Sequence, residues 1–111
     1  MGAIVYVRGW LEFNGLRDEA ARVIGDDPGW SFPEGWFDVA SYLRAVPAPL
    51  LADLEERVRA VAALPAADED GDRVCGLFLV FHEVHGQDEW QVRDGGLHIR
   101  PASPDYDYLW V

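Results

Sequence analysis

The sequence predicts an α+β domain: a four- or five-stranded, mostly antiparallel sheet with two helices packed on one face. Three observations lead there. Residues 74–84 form the longest apolar run, and Leu77-Phe78-Leu79-Val80 within it shows no polar alternation, the pattern of an interior strand covered on both faces. Two other segments repeat apolar residues at helical spacing, and two amphipathic helices need a sheet face to cover. Asp94-Gly95-Gly96 lies between alternating segments and is a strong hairpin signal.

The elements follow in order. Residues 3–13 read as a strand with Val5, Val7, Leu11 and Phe13 on one face and Ile4, Tyr6, Arg8, Trp10 and Glu12 on the other. Gly9 inside it marks a bulge or a close approach by another group. Asn14-Gly15 ends the strand and can cap the next helix, in which Leu16, Ala20, Val23 and Ile24 recur at helical spacing until Gly25. Asp27-Pro28-Gly29 is turn chemistry, and residues 30–36 form an aromatic loop. In residues 37–46, Phe37, Val39 and Leu43 alternate as a strand, although the same residues could make two helical turns. The strand reading is preferred because a helix squeezed between the loop and Pro47 and Pro49 would be short.

Residues 50–64 are the clearest helix. Leu50, Leu51, Leu54, Val58, Val61 and Leu64 form its stripe, and Pro49 suits its first position. Asp53 to Arg57 and Glu55 to Arg59 are acid-before-base pairs, worth about 0.3 kcal/mol each on an exposed face. An acidic loop over 66–72 leads into the central strand, and a turn at 85–89 leads out of it. Trp90 and Val92 point inward on the next strand, and residues 97–100 complete a three-strand meander. The segment 104–111 is too aromatic for a free tail and is expected to dock on the domain. The sheet face away from the helices would be partly open and carry some of Tyr6, Trp10 and Trp90.

Composition narrows the function classes. The 111 residues suit a single domain over 1–111, and 50% hydrophobic with 13% aromatic content argues against disorder. Nine basic against twenty acidic residues give a net charge of −11, which repels nucleic acid and anionic membranes and steers the chain towards a basic partner. The single cysteine, Cys75, excludes an internal disulfide and reads as a small buried hydrophobe. No signal peptide or membrane-length apolar run is visible, so a cytoplasmic location is expected.

The chemistry-bearing clusters are few. His82-Glu83-Val84-His85 would, on a strand, place Glu83 and His85 on one face and His82 opposite, which suits a shared metal poorly. Asp68-Glu69-Asp70-Gly71-Asp72 lacks the later glutamate and flanking helices of a calcium loop and reads as a solvated acidic loop. No serine or cysteine sits in a nucleophile signature, and no glycine-rich phosphate loop opens a helix. The expectation is therefore no catalytic residue, no metal and no cofactor. What remains is a protein interface built from Trp30, Trp36, Trp90, Tyr106, Tyr108 and Trp110, with Asp68, Glu69, Asp70 and Asp72 attracting a basic protein.

Gly9-Trp10 lies late in the first strand, Gly76-Leu77 opens the central strand after a helical middle, and Arg93-Asp94-Gly95 ends a later one; in these the layout resembles the immunity protein 7 family of bacterial polymorphic toxin systems. Gly9-Trp10 matches a first strand ending in Gly-Trp, and Gly76-Leu77 matches a Gly-Leu strand opening after a helical middle. Glu83, Asp88 and Glu89 loosely match acidic residues that follow, and Arg93-Asp94-Gly95 a strand running into a basic residue and glycine. The family's Ser-Tyr-Gly lead is replaced here by Arg73-Val74-Cys75-Gly76, and its closing Leu-Ser-Pro is echoed by Ala102-Ser103-Pro104. The resemblance implies a non-enzymatic cytoplasmic inhibitor that binds a toxin domain. The alternatives are a small enzyme or ligand-binding domain using His82, Glu83, His85 and His98, and a structural domain that homodimerises through the open sheet face.

Overall fold

A computed structural model describes residues 2–35 and 38–110. The chain runs β1 (Ile4–Glu12), α1 (Arg17–Ile24), β2 (Trp30–Ser31), β3 (Val39–Pro47), α2 (Ala48–Ala62), β4 (Cys75–His82), β5 (Gly86–Arg93) and β6 (Gly96–Pro101), then a 3-10 helix, Pro104–Leu109. The six strands form one sheet in the order β2-β3-β1-β4-β5-β6, with every pairing antiparallel. The count exceeds the expected four or five because the aromatic loop contributes the two-residue β2, paired with Tyr42 and Ser41. β4 lies inside the sheet between β1 and β5, as its apolar run predicts. Because β3 and β4 are both antiparallel to β1, the β3-α2-β4 unit is a split crossover with β1 inserted between its two strands.

The core lies on one face. Val5, Val7, Leu11 and Phe13 are buried there with Phe78, Val80, Trp90 and Val92, under Ala20 and Ile24 of α1 and Leu54, Val58 and Val61 of α2. The face assignment of the first strand holds in full. Phe78 is the aromatic centre, with ring centroids of Trp30 and Trp90 each 6.0 Å away and that of Tyr42 6.5 Å away.

The residues at 37–46 do form a strand, but its inward face is Ala40, Tyr42 and Val46. Val39 and Leu43 point the other way, and Leu43 is 68% exposed. Leucine hydrophobicity misled the phase; the register with β1 sets Tyr42 opposite Gly9 on the core face, where its ring packs over Gly29 while Phe78 takes the space beside Gly9. Phe37 lies outside the described residues. α2 begins at Ala48, so Pro49 is its second residue, and it ends two residues before Leu64. Asn14 does not cap α1: its side-chain amide donates instead to the Arg73 carbonyl at 2.7 Å, tying the first loop to the entry of β4. Of the two helix pairs, Glu55–Arg59 forms at 3.3 Å, whereas Arg57 turns to the carbonyls of Val23 and Ile24. A cation at the end of α1 meets unsatisfied carbonyls and the negative end of the helix dipole, which outcompetes an exposed carboxylate.

One polar cluster is built into the core edge. The Tyr42 hydroxyl donates to Asp27 at 2.9 Å, and Asp27 also accepts from the Gly29 amide at 2.9 Å and from Arg44 at 3.1 Å. Burial, with the hydrogen bond and charge of Asp27 adding to it, pushes the Tyr42 phenol from 10.0 up to about 12. The unfolded phenol ionises first, so this stability is complete below about pH 10 and is lost as pH rises towards about 12. Urea denaturation at pH 8 and 11 should show the wild type losing about 1–2 kcal/mol more than Tyr42→Phe over that interval. Equal losses would contradict the assignment.

Candidate binding site on the open sheet face

The face away from the helices is built by alternation. Tyr6, Arg8, Trp10 and Glu12 of β1 stand in register with Phe81, Leu79, Leu77 and Cys75 of β4. Glu89 and Gln91 of β5 continue the same face. The two α-helices cover only one side of the sheet, so these apolar residues keep water on the other: Tyr6 is 40% exposed and Trp10 43%. β4 is thus an interior strand within the sheet, yet the face it shares with Trp10 is only partly covered.

The C-terminal segment covers one end of this face. Trp110 stacks on Phe81 at 4.8 Å between centroids, and the Arg8 guanidinium lies 4.0 Å from the Trp110 ring centre. The expected docking of the aromatic tail is therefore present, carried by Trp110. Tyr106 reaches the middle of the face, while Tyr108 points to solvent and is 71% exposed.

Between the docked segment and the β4–β5 ladder lies a groove of about 520 Å³ bordered by Trp10, Glu12, Leu77, Glu89, Arg100 and Tyr106. A smaller hollow of about 220 Å³ over Arg8, Gly9 and Leu79 shares Trp10 and Leu77 with it as bordering residues. The glycines make this geometry. A Cβ on Gly76 would lie 2.1 Å from the Trp10 carbonyl oxygen, and one on Gly9 would lie 2.4 Å from the Leu77 carbonyl oxygen. Their neighbours Trp10 and Leu77 face each other across the ladder. The close backbone approach expected at Gly9 is thus reciprocal.

Glu89 is the buried charged residue of the described chain, 5% exposed. Its Oε2 accepts from Gln91 Nε2 at 2.6 Å and from Arg100 Nε at 2.7 Å. These two donors, Gln91 first, hold its carboxyl below the usual range, so it is ionised at neutral pH. The turn expected over 85–89 is shorter: β5 begins three residues before Glu89, and the inward–outward alternation puts Glu89 on the groove face. Cys75 also borders the groove. It is only half-buried, because it lies at the start of β4 on the open face, and its thiol donates to Glu12 Oε2 at 3.5 Å. Desolvation and the adjacent carboxylate push its pKa up, which keeps it a thiol.

The other expected interface residues scatter. Trp90 faces the helices and is 1% exposed, because its register partner Phe78 points into the core. Trp30 is half-buried and packs edge-on against Tyr42 at 4.9 Å, so it serves the core. Trp36 lies outside the described residues. Asp68, Glu69, Asp70 and Asp72 are all exposed, and carboxylate oxygens of Asp68, Asp70 and Asp72 approach within 4.8 Å of one another. Exposed carboxylates at that spacing are common on acidic loops.

His82 and His85 are not split. The strand ends at His82, and the following turn folds the rings to 4.3 Å between centroids. His82 Nδ1 accepts from the amides of Val84 and His85, while Glu83 accepts from the Ile4 amide at 2.6 Å. These are turn- and strand-closing bonds. His98 pairs with Gln91 on β6, whereas His82 pairs with Gly86 at the opposite end of β5. The four residues do not share a cleft.

The charge is distributed unevenly. All nine basic residues are arginines. Arg17, Arg44, Arg59, Arg93 and Arg100 pair with Asp38, Asp27, Glu55, Asp94 and Glu89. Arg57 and Arg73 bond helix-terminal carbonyls, and Arg8 sits on Trp110. The cations are largely spent within the chain, while the acidic loop has no cationic partner among the described residues. No helix among the described residues is long and apolar enough to cross a membrane. Trp10, Glu12, Leu77 and Glu89 border the groove but are not among the interface residues expected from the sequence; Trp10 is expected on the open face, from its place opposite Val5, Val7 and Leu11, and is found there. No protein-family model matches the chain, and no curated protein or solved structure is significantly similar to it.

Proposed function

We propose that the chain is a non-enzymatic, acidic protein-binding module, an immunity-type inhibitor that neutralises a basic toxin domain by direct binding through the open sheet face. The carrying observation is the exposure of Trp10, Leu43 and Tyr6 on a sheet face that the C-terminal segment covers only at one end, in a chain of net charge −11. Exposed aromatics set among aliphatic residues are the usual anchors of protein interfaces. Engaged arginines leave the remaining field negative, which speeds encounter with a cationic surface. The one cysteine is held as a thiol, and the histidines bond their own turn or lie far apart, so neither favours a catalytic reading.

The test is coexpression with the product of the adjacent gene. That product is expected to be a basic toxin domain forming a 1:1 complex, with affinity falling as salt rises from 50 to about 500 mM. A variant carrying Asp68→Ser, Glu69→Ser, Asp70→Ser and Asp72→Ser should fold normally and bind about three- to tenfold more weakly at low salt. Unchanged affinity would remove that loop from the interface. Failure to form any complex at low salt would overturn the proposal.

A further inference from the structure

We propose that the C-terminal segment, residues 103–110, is a hinged strap. In the free protein it lifts from the sheet about Ala102 while the rest of the fold stays intact, and a partner seated on the open face holds it shut. The closing by a partner rests on the reading of the chain as a protein-binding module, whereas the lifting stands on the segment's own contacts.

Three observations converge. First, the segment has no polar tie to the sheet. The last bond before it runs from the Ala102 amide to the Gln87 carbonyl at 3.0 Å. Beyond that, among the described residues, its hydrogen bonds are internal. Ser103 Oγ accepts from the Asp105 amide at 3.2 Å, the Ser103 carbonyl from Tyr106 at 3.0 Å and the Asp107 carbonyl from Trp110 at 3.1 Å. Second, its attachment centres on one ring. Trp110 stacks on Phe81 at 4.8 Å, lies 6.0 Å from Tyr6 and receives the Arg8 guanidinium at 4.0 Å, while no residue of the 3-10 helix is buried. Third, docking encloses polar atoms without pairing them. Gln87 Oε1 and Nε2 and Trp110 Nε1 are shut off from solvent with no partner. Gln87 is the register partner of Phe81, so its side chain lies on the open face. The segment leaves the sheet at Ala102, beside Gln87, and crosses above that side chain to set Trp110 on Phe81. Lifting the segment returns all three atoms to water, so their lost hydration works against the stack.

A unit held by a few apolar contacts opens at far lower cost than the whole domain. A partner shifts that balance only by preferring one form. Tyr106 borders the groove together with Trp10 and Leu77, so a partner seated there touches sheet and segment at once, and only when the segment is down.

The test is hydrogen exchange of the intact ¹⁵N-labelled protein, read at backbone amides and the Trp110 indole. In the free protein the Tyr106 and Trp110 amides and the Trp110 indole should exchange at least about a hundredfold faster than the amides of Val7 and Val80 in the central strands. Gln87→Leu, which removes the unpaired amide, should slow exchange in the segment about tenfold. Trp110→Ala should bring it to the unprotected rate, with β1 and β4 still protected. Exchange of the wild-type segment at the pace of the central strands would overturn the proposal. So would unchanged or faster exchange in Gln87→Leu, which would show that an enclosed water satisfies the amide in the docked form. With the partner bound, exchange in the segment should slow at least about tenfold, and Gln87→Leu should bind about threefold more tightly. A complex protected at Trp10 whose segment exchanges as in the free protein would overturn the proposal and leave the binding function standing. Absence of any complex would overturn the binding function, while exchange in the free protein would still decide the strap.

Discussion

Trp90→Ala is expected to lower the free energy of unfolding by about 4 kcal/mol, and Trp10→Ala by less than about 1 kcal/mol. The two tryptophans differ in face. Trp90 is 1% exposed and lies 6.0 Å from Phe78, so its removal leaves a ring-sized cavity under the helices. The close packing around it, with Leu97, Val92 and Val80 all buried, limits collapse into that space. Trp10 stands on the open face at 43% exposure, and water already touches much of what its loss would uncover. Urea denaturation of both variants checks this. A comparable loss at the two positions would mean that the open face is as enclosed as the core.

Gly76→Ala carries the second large effect, a loss of about 3 kcal/mol. The added methyl would lie 2.1 Å from the Trp10 carbonyl oxygen and 3.0 Å from the Leu11 Cα, and both obstacles are backbone of the neighbouring central strand. No side chain can rotate away, so β1 and β4 must separate locally and their ladder bonds lengthen. The effect should extend to the groove, because Trp10 and Leu77 are register partners beside this contact. Thermal unfolding and the dispersion of the Trp10 indole resonance read both consequences. An unaltered midpoint would show that the ladder is looser here than described.

Much of this architecture was legible in the chain. The period-two pattern of β1 separated its two faces correctly, because every core position there is aliphatic or aromatic and Arg8 and Glu12 mark the other side. The apolar run of β4 gave its interior place, and Asp94-Gly95 gave the last hairpin, where both residues take positive φ, 52° and 75°. Phase errors arose where hydrophobicity and burial part company. Leu43 is a large apolar residue turned outward, and Trp90 is a residue common at interfaces turned inward. Both are fixed by register with a neighbouring strand, which is a non-local fact that no single strand's pattern contains.

The site was legible only in fragments. Charge and aromatic content pointed to a protein interface, and the docked Trp110 followed from composition alone. The juxtaposition of Glu12, Trp10 and Glu89 did not. Glu12 and Glu89 are far apart in sequence and border one groove, at separate places on the same face, only because β1, β4 and β5 are consecutive in the sheet. The histidines show the converse error. Strand alternation was extended past His82, and a turn three residues long brought together rings that a continuous strand would have parted.

The most direct measurement is amide hydrogen exchange of the protein alone and in its complex with the basic partner. Binding through the open face predicts added protection in the peptides that carry Trp10, Leu77 to Leu79 and the 3-10 helix Pro104–Leu109, with α1 and α2 unchanged. Protection confined to the helices, with Trp10 and the docked C-terminal segment exchanging as in the free protein, would contradict the account.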